Sequence, residues 1–84
     1  GISFVAAARV LESGRSLISQ SDRAGERRWV AVGKDPESHR IVAVIYTMRG
    51  HRYRIISARR ARSNEEEGFR ERFGFGPEDE SQWS

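Results

Sequence analysis

The chain has 84 residues and no cysteine, which allows one domain and excludes disulfides, thiolate metal sites and cysteine nucleophiles. Its net charge of +3 hides an asymmetry: residues 1–62 carry 13 Lys+Arg against five acids, whereas residues 63–84 carry two Arg against seven acids. A chain this short buries only about 60–65% of the surface its unfolded form exposes, so its core is thin, and a basic body with an acidic tail points to a polyanionic partner.

Ser3 is placed to cap a helix whose apolar positions Phe4, Ala7, Ala8 and Leu11 repeat at helical spacing, with Gly14 as the stop. Leu17 to Gln20 reads as a short strand and Ser21 to Glu26 as a polar turn. From Arg28 to Val32 the pattern alternates, placing Arg28, Val30 and Val32 opposite Trp29 and Ala31. Asp35-Pro36-Glu37-Ser38 is a turn signal. Arg40 to Thr47 is almost wholly apolar and predicts a central strand covered on both faces. After the turn at Arg49-Gly50-His51 comes a strand over Arg52 to Ser57, with Tyr53, Ile55 and Ser57 on one face and Arg52, Arg54 and Ile56 on the other. Ser63-Asn64-Glu65-Glu66 fits a capping box and predicts a helix to about Phe73, weakened by Gly68. Residues 74–84 read as an acidic, mobile tail. The expected fold class is α+β: one domain over residues 1–73, with a small antiparallel sheet of about four strands flanked by an N-terminal and a C-terminal helix.

No apolar run approaches the roughly 18 residues of a membrane span. Gly1-Ile2-Ser3-Phe4 lacks the layout of a signal peptide, so a cytoplasmic location without membrane contact is expected. Of 15 basic residues, 14 are Arg. The planar fork of Arg suits phosphate and stacks on bases, although a GC-rich genome also raises the ratio. Six of these (Arg49, Arg52, Arg54, Arg59, Arg60 and Arg62) fall within 14 residues without one acid. An edge strand kept soluble by charge is the plain explanation. A phosphate-binding surface, with Tyr53 available to stack on bases, better explains so much unpaired like charge. His39 and His51 lack the carboxylate spacing of a metal site, and Gly74-Phe75-Gly76 follows a helix rather than opening one, so no metal or cofactor is expected.

The string Arg54-Ile55-Ile56-Ser57-Ala58-Arg59-Arg60-Ala61, followed by Glu65 and Phe69, resembles the signature of the BrnT toxin family. Arg28-Trp29-Val30-Ala31-Val32-Gly33 and Val42-Ala43-Val44-Ile45-Tyr46-Thr47 are similar to the strands that precede it there, and Gly1-Ile2-Ser3-Phe4 resembles a helix junction. The resemblance spans roughly residues 1–73. It implies a RelE-like fold and a metal-independent endoribonuclease that inhibits translation. It also implies a DNA-binding antitoxin of the BrnA type as hetero-oligomeric partner, with no direct DNA binding expected without that antitoxin.

Within that implied chemistry, Arg54, Arg59 and Arg60 are the candidates to stabilise a phosphorane, and Glu65 acts as base or orients an arginine. Arg49, Arg52, Tyr53, Arg62 and His51 are the candidate RNA-binding residues. His51, titrating near neutrality, is either an acid–base group or a solvated turn residue. Two departures stand out. Relatives usually carry a tyrosine where this chain has Phe69. They also begin with a strand and a helix ending Lys-His-Gly, of which only Gly1 is present, so one sheet edge is expected to be exposed. The alternative expectation is therefore a truncated, catalytically weak toxin acting as an RNA-binding or antitoxin-binding module.

Overall fold

Ser3 caps the first helix as its position predicts, its hydroxyl accepting from the Ala6 N–H at 3.1 Å. The computed structural model describes residues 2–22 and 25–74. Helix α1 (Phe4–Glu12) is followed by strands β1 (Ser16–Gln20), β2 (Trp29–Lys34), β3 (Ile41–Arg49) and β4 (Arg52–Arg60), and then by helix α2 (Ser63–Phe73). The strands form one antiparallel meander in the order β1-β2-β3-β4. This is the expected α+β fold. From residue 75 on, the tail lies outside the described residues. Among the described residues no helix is long and apolar enough to cross a membrane.

The helices cover opposite faces of the sheet. Ala7 and Val10 of α1 pack with Val42 and Val44 of β3, joined by Leu11, Ile55 and Ala58. Phe69 of α2 packs with Val32 and Ala43, joined by Val30, Ile41, Ala61 and Phe73. Central β3 is thus covered on both faces, and β2 alternates as expected, with Val30 and Val32 toward α2. The buried face of α1 differs from the predicted stripe: Ala6, Ala7 and Val10 are inside, and Phe4 is 68% exposed. Gly33 sets that contact. A Cβ there would lie 2.8 Å from Val10 Cγ1, so α1 sits where β2 has no side chain. Gly68 does the same for α2, whose backbone approaches Leu17 of β1 to within 3.3 Å of where a Cβ would stand. The residue that weakens the helix is the one that lets it dock.

Two local expectations are corrected. Strand β4 runs to Arg60, and its pairing with β3 slips by one residue at Ile45/Tyr46. The slip inserts Ile56 as an extra residue, so Ile55 and Ala58, three apart, both reach the α1-side core. Ser57, opposite Ile45, therefore lies on the α2 face and not with Tyr53 and Ile55. The second correction is the cap of α2, which is Arg62 and not Ser63. Glu65, three residues on, accepts from the Arg62 N–H at 2.8 Å. Only this half of a capping box exists, because a guanidinium cannot accept a hydrogen bond.

Asp35 is the buried polar centre of the fold, 1% exposed. It accepts from Arg9 Nε and Nη2 at 2.8 and 3.1 Å, from the Glu37 N–H at 3.2 Å and from Ser38 Oγ at 2.8 Å. The Arg9 bonds, opposed by burial and helped by Ser38 and Glu37, hold its carboxyl well below the usual carboxylate range.

Because Asp35 is ionised more readily in the fold than in the unfolded chain, its contribution is complete above about pH 4. It is lost as pH falls from there into the strongly acidic range. Urea unfolding at stepped pH is expected to show this loss, and Asp35→Ala to flatten it while costing about 2–3 kcal/mol at pH 7. Glu37→Ala, at an exposed carboxylate that also meets Arg9, should stay within about 0.5 kcal/mol. By the same measurement Gly33→Ala should cost about 1–3 kcal/mol, since buried Val10 must move aside.

Candidate active site

Cross-strand pairing decides where each arginine of β4 points. Arg59 stands opposite Ala43, on the α2 face, and Arg60 opposite Val42, on the α1 face. Arg59 meets the first turn of α2 there. Its Nη1 and Nη2 donate to Glu65 Oε1 and Oε2 at 2.7 and 3.0 Å, and Nη1 also reaches the Arg60 carbonyl at 3.2 Å. Three of its five N–H groups are thereby used, leaving two for a ligand. The Arg59 bonds, with the Arg62 N–H and against burial, hold the Glu65 carboxyl below its ordinary value. The same pairing raises Arg59. Glu65 is therefore an ionised carboxylate committed to its donors. Of the two roles open to it in the sequence, orienting an arginine fits this geometry better than taking a proton.

Helix α2 covers β1, β2 and the Ile41–Ala43 end of β3, so on the same face the stretch toward Ile45 and Ser57 stays open. A cleft of about 300 Å³ occupies that opening. Its walls carry Arg59, Arg62 and Arg28 with the hydroxyls of Ser21 and Ser57, and Val30, Ile45 and Ile56 complete the lining. Arg28 was not among the residues singled out in the sequence. The signal for it was the β2 alternation, which places Arg28 on the side of Val30 and Val32.

The structure separates the remaining candidates from this cleft. Arg49, Arg52, Tyr53 and Arg54 line a groove with Phe4, Ala8 and Ile55 beside α1. Tyr53 meets Tyr46 edge-on there, with ring centroids 6.0 Å apart. His51 is exposed in the β3–β4 turn, next to Gly50, whose φ of 63° is what so tight a hairpin requires. Of the four residues expected to form one reaction centre, Arg59 and Glu65 are together and Arg60 is on the other face, whereas Arg54, opposite Thr47, shares the face of Arg59 but stands five residues along β4 and lines the other groove, not the cleft. Phe69 is 5% exposed and belongs to the core. Among the described residues lining the cleft there is neither a histidine nor a carboxylate.

A double-mutant cycle in urea unfolding is expected to give about 1 kcal/mol of coupling between Arg59→Ala and Glu65→Gln, a bidentate, half-buried pair. The exposed i,i+4 pair Glu66–Arg70 should give about 0.3–0.5 kcal/mol at most.

The family model described as ribonuclease toxin, BrnT, of type II toxin-antitoxin system matches residues 1–65. No curated protein and no solved structure matches the chain.

Proposed function

From the premise that this chain belongs to the BrnT family of ribonuclease toxins of type II toxin–antitoxin systems, we propose that it cleaves RNA at the Arg59–Arg62–Arg28 cleft without a metal and thereby inhibits translation. The observation that carries this reading is the bidentate Arg59–Glu65 pair at an arginine-lined cleft. A guanidinium fixed by its own carboxylate presents its remaining N–H groups in one direction, with no reorganisation needed as charge develops. The ribose 2′-oxygen attacks the adjacent phosphorus, the bond to the 5′-oxygen breaks, and the dianionic phosphorane between these states is held by the arginines. Since no acid–base side chain among the described residues lines the cleft, the proton of the 2′-hydroxyl leaves to water and the 5′-oxygen is protonated from water. The proposed partner is an antitoxin of the BrnA type that neutralises the protein in the cytoplasm.

The lack of an acid–base group among the described residues of the cleft also favours a second reading: a catalytically weak chain that binds RNA or antitoxin through the same arginines. A labelled single-stranded RNA incubated with the protein at low salt in EDTA separates the two. Cleavage that falls about 10²–10³-fold in Arg59→Ala supports the ribonuclease. Salt-sensitive binding without cleavage supports the second reading.

A further inference from the structure

Arg28 sits just before β2 and belongs to the side of the sheet that carries α2. Its side chain is 28% exposed, its Nη2 makes a long 3.5 Å contact with Glu26, and its Nε–H is buried with no acceptor among the described residues. A guanidinium N–H withdrawn from water and left unpaired is costly, and in a cleft it calls for an acceptor, a water or an anion. The cleft beside it has a second unusual property. Its floor is apolar, made of Val30, Ile45 and Ile56, and Ile56 is 41% exposed although it lies among three arginines. The inserted residue in β4 explains why: the slip at Ile45/Tyr46 places Ile56 in this cleft together with Ser57.

We propose that the cleft is a subsite for one unpaired ribonucleotide. Its base lies on the Val30–Ile45–Ile56 floor, and its phosphate is held between Arg28 on one side and Arg59 with Arg62 on the other. The identity of the ligand rests on the ribonuclease reading; the subsite itself rests on the stranded N–H and the apolar floor. Volume agrees with the assignment, since about 300 Å³ is at the small end of ligand pockets and admits one nucleotide, not a base pair. A base lays its face on this floor only when it is unstacked, as in single-stranded RNA. Arg28 binds and positions the phosphate, and its guanidinium turns into the cleft so that Nε–H gains the acceptor it lacks.

The test uses an adenosine hexanucleotide, the same sequence in a duplex, inorganic phosphate and hexaglutamate as probes at low salt. Affinities come from fluorescence anisotropy competition, and the site from methyl NMR shifts on the unmutated protein. The single strand is expected to bind at least tenfold tighter than the duplex and to shift the Val30, Ile45 and Ile56 methyls. Arg28→Ala should weaken it about tenfold and lower the salt slope by about one, with Arg28→Lys rescuing little because the fork is lost. Ile56→Ser should weaken the hexanucleotide but not inorganic phosphate. Methyl shifts elsewhere, tighter binding of hexaglutamate, or unchanged affinity in folded Arg28 and Ile56 variants would overturn the subsite. RNA cleavage that depends on Arg59 but ignores Arg28 and Ile56 would sink this inference and leave the ribonuclease standing. Binding that needs Arg28 and Ile56 without any cleavage would do the reverse.

Discussion

The Asp35 carboxylate is ionised and has no exit to water, so its lone pairs must be met from within the protein. Four donors meet them: two from the Arg9 guanidinium, one from the Glu37 backbone and one from Ser38. That requirement orients α1. Arg9 and Val10 are neighbours on the helix, so when Arg9 points at Asp35, Val10 is directed at the gap above Gly33. The helix face, its closeness to the sheet and the form of the β2–β3 turn are thus one constraint seen from three sides. The core around it is built of alanines and valines, which supply little area per residue. A fold with so thin a core gains its definition from directional contacts.

Helix α2 is fixed by the same kind of device with a different consequence. Glu65 clamps Arg59, Gly68 admits Leu17, and Phe69 enters the space over Val32 and Ala43. These three contacts hold the helix over β1, β2 and the Ala43 end of β3. The part of that face they leave open, around Ile45 and Ser57, is the one lined by Arg59 and Arg62, with Arg28 at its margin. The cleft is therefore a product of where α2 docks and not of a dedicated loop. A cation that anchors a helix and also faces an open cleft couples the stability of the fold to the state of the site.

Most of the architecture was legible because it rests on periodicity. The β2 alternation placed Val30 and Val32 correctly, and the apolar run of β3 announced a strand buried twice over. The slip in β4 was not legible, since no glycine or proline marks it and Ile56 suits a regular strand as well as an inserted position. The cap of α2 was misplaced by one residue because Ser63 and Glu66 offer the better local pattern. What overrides it is the pull of Arg59 on Glu65, a tertiary contact that no window of sequence contains. Asp35 was read as a turn residue for the same reason: its partner lies 26 positions earlier. The arginines of β4 were visible as a set, but their division between two faces depends on strand parity through the slip.

The charge in the cleft has a definite balance on the proposed chemistry. Arg28, Arg59 and Arg62 bring three positive charges, and Glu65 cancels one while fixing its direction. Glu26, half-exposed and 3.5 Å from Arg28, is screened by water and offsets little more. About two positive charges remain, which suits a dianionic phosphorane better than the monoanionic phosphodiester from which it forms. Differential stabilisation of that kind accelerates the reaction, whereas a stronger uniform field would only tighten ground-state binding. Glu65 is then useful to an arginine-based site without taking any proton: it converts a flexible cation into an oriented one and trims the field to the charge that develops.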